Sequence, residues 1–405
     1  MDKLGLVTTF PSSSRRKSVD ENKRLKKVIQ VGRKGRIREI TSNSDPVVLP
    51  KRLGRHTGIR AWLASLELSY IVWKLDSLCR KITSLSNPYH SLEPKMAKFM
   101  DATTVEAYLC QNTRFQSVRD VLEIQIRLVM GADLNRISLL YMLSYAKWQG
   151  AESFHEFLHG NPHRDADDEV EQLPPLSVKN GCHQICTQLV KQCIGEENVI
   201  LNQPVSHIST LQDCTTSGEG DRNVYVTTKD GQSYKSSQVI VAIPPNILRE
   251  IEFSPPLPLD KKYLLNSMSM GTSIKFIVTY KEKYWLKDGY SGEFVSHSGP
   301  ITWMADSSDQ NGCPTLVGLL GGHLAVTYGK IPEEDLKAAI LDQISAIFGS
   351  WALEPTGILL KVWQTQPFEQ GATVCFPGIG TMREFQTIRA SHGPIHFAGT
   401  ETSIR

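Results

Sequence analysis

Three groups of side chains in this sequence have types and spacings that could do chemistry. His155-Glu156-Phe157-Leu158-His159 is a literal H-E-x-x-H, a spacing that on a helix sets two imidazoles on one face with a glutamate beside a metal-bound water. Gly160 and Pro162 end that helix at once, the metzincin positions for a further glycine and third histidine are missed, and the acidic run Asp165, Asp167, Asp168, Glu169 and Glu171 reads as a solvated loop. A chance match is the simpler account, and a zinc hydrolase using His155, Glu156 and His159 stays as a remote alternative. Lys275 is the second group. It stands between Ile274 and Phe276 in the alternating run SIKFIVTY, residues 273–280, where a buried ammonium is costly without a partner; it either faces solvent or serves a site. The third group closes the chain: an apolar run, 395–398, enters Gly399 and is followed by Thr400, Glu401 and Thr402. Glycine at such a corner admits a bulky ligand to the backbone, and a helix N-terminus offers N–H groups to an anion. An ordinary capped helix start fits the same residues.

Length and composition bound what can position these groups. At 405 residues the chain exceeds the size at which one core stops growing, so two domains are expected. Hydrophobic residues at 40% and charged residues at 21% suit a globular protein. The net charge of +3 hides an asymmetry: residues 1–60 hold 16 Lys/Arg against 5 Asp/Glu, and the remainder 29 against 37. Almost no aromatic residue accompanies that basic segment, so residues 1–58 read as a poorly ordered, solvated arm with no specific nucleic-acid partner. Eight cysteines without small-domain spacing, and no secretory apolar region, indicate reduced thiols and an intracellular location. The most apolar span, 59–78, is broken by Arg60, Glu67 and Lys74 and is an amphipathic helix, not a membrane crossing.

Along the chain, residues 59 to about 160 repeat apolar positions at three and four: Ile59, Trp62, Leu63, Leu66, Tyr70 and Trp73, then two further sets around 118–128 and 139–145. Breaks at Asn87-Pro88 and Gly131 separate the helices. Beyond Pro174-Pro175 the texture becomes mixed. A glycine turn and helix over 177–195 lead to short strands at 199–201 and 205–208, and strands at 224–228 and 238–242 form a hairpin-like return about Lys229-Asp230-Gly231. Strands follow at 273–280, 301–304, 316–320 and 358–363, with a helix over 333–348. No Gly-x-Gly-x-x-Gly occurs anywhere, Gly32 and Gly35 included.

Several of these segments together resemble the flavin-containing amine oxidases, particularly the monoamine oxidase branch. FAGTET at 397–402 is similar to the family's flavin-contacting segment; so are VIVAIPPNIL at 239–248, FSPPLP at 253–258, GTSIKFIVTYKEKYW at 271–285, and Val362-Trp363 followed by Gln370-Gly371-Ala372-Thr373. The resemblance runs from about residue 90 to 405 and is dense after Ser177. It implies an α/β fold: a truncated FAD/NAD(P)-binding-type domain (176–258 and 366–405) and a substrate domain of helices (59–175) and antiparallel sheet with a helix (259–365). By resemblance Lys275 is catalytic, holding a water against flavin N5. Val205, Trp363, Ala372, Thr373, Gly399, Thr400, Glu401 and Thr402 contact FAD, and Trp303, Ala305 and Leu319 line the substrate cavity. Ala372 stands where covalently flavinylated relatives have cysteine, with Cys375 three residues late, so FAD is expected to be non-covalent; Thr373 replaces the first cage tyrosine.

The implied reaction is oxidation of a monoamine by FAD and oxygen to imine and then aldehyde, releasing ammonia and hydrogen peroxide. No metal is implied. The glycine loop for the FAD diphosphate and the family's C-terminal end are not found, so impaired catalysis, poor solubility of the isolated chain, and a non-catalytic amine-oxidase-like binding protein are the competing expectations. The resemblance admits a cytoplasmic or a mitochondrial outer-membrane location, without the tail anchor.

Overall fold

The computed structural model describes residues 8–9, 25–31, 36–41, 59–151, 153–159, 177–178, 181–212, 222–308 and 313–403. Between 59 and 159 the three-and-four spacing becomes the α-helices Ile59–Arg80, Pro94–Ala102, Val105–Asn112, Gln116–Met130, Leu139–Trp148 and Phe154–His159. Their starts are capped as the sequence allows: Glu93 accepts from Met96 N–H at 3.1 Å, Thr104 from Ala107 at 3.0 Å and Ser138 from Tyr141 at 3.1 Å. Left-handed Gly131 (φ 63°) ends Gln116–Met130. The helices share one core, built on residues such as Ile71, Leu122, Leu140 and Phe154. Helix Ile59–Arg80 departs from expectation. Its buried face is Ala64, Leu68, Ile71, Val72, Leu75 and Cys79, while Ile59, Trp62, Leu63, Leu66, Tyr70 and Trp73 lie exposed on the opposite side.

The largest sheet has seven strands in the order Gly357–Val362, Ser273–Thr279, Thr315–Gly321, Trp303–Asp306, Tyr290–Ser296, Lys26–Val31, Arg36–Thr41. All neighbours are antiparallel except Tyr290–Ser296 with Lys26–Val31. One face is core: Ile274, Phe276, Val278, Phe294, Met304, Leu316 and Leu320 pack with Leu336, Ile340, Ile344 and Phe348 of helix Glu333–Phe348. Gly318 leaves room there for the Phe276 ring, since a Cβ on it would lie 2.2 Å from Phe276 Cζ. Period-two alternation sends every other side chain to the second face. Within the stretch read as a basic arm, Lys26–Val31 and Arg36–Thr41 form a hairpin on the sheet edge, with Val28 in the core.

A smaller region lies around Val205. Four strands run in the order Ser233–Ser236, Arg222–Thr228, Val205–Gln212, Glu252–Ser254, and Val239–Val241 pairs in parallel with Ile395–Phe397. The hairpin return after the 229–231 turn is therefore Ser233–Ser236, which directly follows the tight turn; the strand expected at 238–242 instead joins the end of the chain. Residues 199–201 are not a strand: a 3-10 turn, Glu196–Asn198, precedes them and left-handed Asn202 (φ 59°) breaks the extension.

Candidate active site

Strand register decides which sequence-singled residues meet. Lys275 pairs with Leu319 on one side and Lys361 on the other, and Leu319 pairs with Trp303. These four form one cross-strand row on the sheet face turned away from the core; Ile277, Val317, Ala305 and Leu359 form the next row on that face. Lys275 is exposed, whereas Leu319, Trp303 and Ala305 are half-buried. Its ammonium therefore keeps its water and incurs no burial cost. Lys361 Nζ lies 5.3 Å from the Trp363 ring centroid and donates to Gln366 at 2.6 Å.

Immediately before Lys275 three backbones are knotted together. Ala372 N–H donates to Gly271 O and Gly271 N–H to Val374 O, both at 2.9 Å, and Thr272 N–H donates to Gly131 O at 2.7 Å. Thr373 Oγ1 donates to Val129 O at 2.5 Å. Only glycine fits at two of these positions: a Cβ on Gly271 would lie 2.3 Å from Met130 O and 2.7 Å from Ala372 O, and one on Gly131 2.5 Å from Ala372 O. The Ala372–Thr373 peptide, which is cis, is thus held against the C-terminus of Gln116–Met130 and the entry to the Lys275 strand.

The Gly399 corner connects to the same knot. Gly399 (φ 125°) opens a 3-10 turn, Thr400–Thr402, and the Glu401 carboxyl accepts from Cys375 backbone; Cys375 pairs with Met270 five residues before Lys275. Burial raises the Glu401 pKa, with the Cys375 and Glu401 N–H groups opposing. Tyr141 donates to Cys375 O at 3.1 Å and is fully buried in the helical core. Cys375 itself is packed, its Sγ 3.7 Å from Asn246 Oδ1 and its pKa pushed up to about 12 by burial; it is an unreactive thiol. Val205 packs against the core of Ile208, Val224, Val241 and Ile395, as does Phe397, two residues before Gly399.

One cluster escaped sequence reasoning. Arg127, fully buried, donates to Asp133 at 3.1 Å and to Glu123; His297 Nε2 is 3.1 Å from Glu123, and His323 Nδ1 is 2.9 Å from Asp133. Burial works to raise both carboxyls, but the histidine hydrogen bonds and the Arg127 charge hold them below their usual range. Arg127 O accepts Gly131 N–H at 2.9 Å, so this network fixes the helix end on which the knot rests. Glu123 and Arg127 at i, i+4 were the only local signal. Groups able to hold a metal ion among the described residues are Asp120, Glu123, His297 and Glu123, Asp133, His323; Arg127 already pairs with Glu123, which both share, and with Asp133. His155 and Glu156 belong to neither; His155 is exposed, its N–H donates to Asp76 at 2.8 Å, and the His159 side chain and residues 160–176 lie outside the described residues.

The profile of the family described as "Flavin containing amine oxidoreductase" matches residues 7–404. The chain belongs to the flavin-containing amine oxidase family. It is 30% identical to the probable flavin-containing monoamine oxidase A of Dictyostelium discoideum over 84% of this chain and 71% of that protein. It is 27% identical to amine oxidase [flavin-containing] B of Sus scrofa over 85% of this chain and 62% of that one. The α/β fold is likewise that of solved amine oxidases: a putrescine oxidase bound to putrescine (TM-score 0.78) and cyclohexylamine oxidase from Brevibacterium oxydans (TM-score 0.79), each 21% identical and matched over 100% of this chain and 79% of the other. The chain thus spans 62 to 79% of the length of these relatives and structures.

A flavin ring fits the residues present. The two rows of the second sheet face that hold Lys275 and Ile277 are apolar apart from Lys275 and Lys361, the 371–373 turn crosses other backbones where no Cβ fits on Gly371, and Ala372 presents no thiol. Among the described helices, none is long and apolar enough to cross a membrane.

Proposed function

We propose that this chain binds FAD non-covalently and oxidises an apolar monoamine to the imine, which water converts to aldehyde and ammonia. The observation that carries the reading is the row Lys275–Leu319–Trp303 on the open sheet face, beginning three residues after the Gly131–Thr272 link. Val205 would lie on the adenosine side, with Trp363, Ala372, Thr373, Gly399, Thr400, Glu401 and Thr402 around the ring. When bound, the flavin supplies the two-electron chemistry, accepting a hydride equivalent and passing it to oxygen as hydrogen peroxide. The chain's own part is positional. Leu319, Trp303 and Ala305 exclude water from the amine carbon, and the Lys275 ammonium holds a proton or an ordered water at the ring. The 371–373 turn fixes where the ring can stand. Lys361 beside Lys275 would repel the distal cation of a diamine, which favours a monoamine.

The full chain loaded with FAD should be yellow and release peroxide on benzylamine faster than on putrescine. Lys275→Met should lower kcat about 100-fold with flavin binding unchanged, because the side chain is exposed and supports no core. Bound flavin with no peroxide from any amine would replace this reading by a second one, an amine-oxidase-like binding protein. One observation favours that alternative: helix His183–Leu189 with its π-helical continuation Val190–Ile194 has no buried residue, so the Val205 side of the site is open.

A further inference from the structure

We propose that a cavity beside helix Leu259–Ser267 binds a free apolar α-amino acid as its zwitterion. The chain leaves helix Pro245–Leu248, forms strand Glu252–Ser254, passes Pro255, Pro256 and Pro258 and returns as helix Leu259–Ser267. Pro255 and Pro256 have no N–H with which to zip the return onto the strand, and a cavity of about 390 Å³ lies between residues 248–257 and the helix. That volume is typical of a small-molecule site. Its apolar lining is Leu248, Phe253 and Leu265, all buried, with half-buried Ile251 and Leu257. None of these residues belongs to the proposed flavin and amine site, so the inference stands apart from that reading.

The rim selects the occupant. It carries two cations, Arg249 and Lys262, and two carboxylates, Glu250 and Glu252, all exposed. Glu250 Oε1 already accepts Gln370 Nε2 at 2.7 Å, and Arg249 Nη1 reaches only Met268 O, at 3.4 Å. Among the described residues no ion pair joins Arg249, Lys262 or Glu252 to an opposite charge. Both signs thus line one cavity without neutralising each other at contact distance. A ligand that carries both answers them together: its carboxylate accepts from Arg249 and Lys262, its ammonium donates to Glu252, and its apolar side chain covers the leucines and Phe253. A simple amine leaves the two cations unmatched, a simple acid leaves Glu252 unmatched, and either shortfall costs affinity.

Isothermal titration of the full chain, with and without added FAD, compares L-phenylalanine with L-phenylalaninamide, which lacks the carboxylate, and 3-phenylpropionate, which lacks the ammonium. Phenylalanine is expected to bind at least about tenfold more tightly than either analogue, and equally well with FAD present. The Arg249→Gln/Lys262→Gln double variant, changed only at exposed positions, should bind phenylalanine about tenfold or more weakly with its far-UV circular dichroism unchanged. Glu252→Gln should erase the preference for phenylalanine over 3-phenylpropionate; Glu250 is left intact because it holds the residue before the 371–373 turn. No binding of phenylalanine, equal binding of all three compounds, or unchanged binding by the double variant overturns the proposal. So does loss of phenylalanine binding when FAD is added, which puts the amino acid at the flavin side instead. A chain that takes up no FAD but binds phenylalanine sinks the oxidase reading and leaves this one standing.

Discussion

The sheet carrying Lys275 and the region around Val205 and Gly399 are built to different degrees of closure. In the sheet, Ile274, Phe276, Val278, Met304, Leu316 and Leu320 have no exposed surface, and the knot ahead of it leaves no room for a methyl group on Gly271. In the other region the parallel pair Val239–Val241 and Ile395–Phe397 leaves Ile240 71% exposed, although parallel strands are normally covered on both faces. Leu201, Ile200 and helix His183–Leu189 are uncovered as well. The difference teaches where rigidity is intrinsic. The wall proposed to face the ring and the amine holds its shape without ligand, whereas the proposed adenosine side has surface left to bury against something else.

Matched glycine substitutions give the largest contrast. Gly271→Ala sets a Cβ against two backbone oxygens that cannot yield, so it should destabilise by on the order of 4 kcal/mol in urea melts. Gly231→Ala, in the turn of the open region, meets no atom within 4 Å and suffers only its left-handed φ of 88°; the cost should be about 1 kcal/mol. Equal losses would mean that the two regions are equally closed.

Lys261 sharpens the comparison, because it anchors the open region. Its side chain is buried, Nζ donates to the carbonyls of Thr387, Ile388 and Ala390 at 3.1, 3.1 and 2.7 Å, and it lies 3.3 Å from the Phe397 ring centroid. Three acceptors require three donors, which only the ammonium supplies. Lys261→Met should cost about 3 kcal/mol by leaving those carbonyls unpaired. In hydrogen exchange it should speed the amides of 395–403 well before those of 273–279. Uniform acceleration would show one cooperative unit in place of two.

How much of this was legible follows the range of each signal. The alternation in SIKFIVTY gives the strand one covered face, because a period of two is written in adjacent letters, but it left Lys275 either facing solvent or serving a site; the structure sets it opposite the core residues Ile274 and Phe276. Trp303 and Leu319 came only through family resemblance, and their register with Lys275 lies in pairings no local pattern records. The Gly131–Gly271–Ala372 knot joins segments more than a hundred residues apart, so Gly131 read only as a break between helices and Gly271 only as part of a segment resembling the family. Helix Ile59–Arg80 was readable as a helix, yet it carries two apolar stripes on opposite sides, and periodicity cannot say which one the core takes. The strand at 238–242 was read as a hairpin return for a related reason: its partner, Ile395–Phe397, is distant in sequence.

The smallest expected effect tests the closed side through pH. Asp101, at the end of Pro94–Ala102, is buried with Oδ2 accepting Met382 N–H at 3.1 Å and Oδ1 without a hydrogen-bond partner. Burial lifts its carboxyl from 3.8 to about 6, while the Met382 and Gly380 N–H groups pull the other way. The native state thus keeps a proton that the unfolded chain has released between those values. The stabilisation is full below about pH 4 and is lost as pH rises through 6. Asp101→Asn keeps an acceptor for Met382 and removes the ionisation, so it should flatten this slope and raise stability at pH 8 by on the order of 1–2 kcal/mol, discounted for water reaching the carboxylate. Chemical melts at pH 4, 6 and 8 decide it. A parent chain that gains stability from pH 4 to 6 where the variant does not would mean Asp101 is ionised in place and that water enters the wall taken here to be closed.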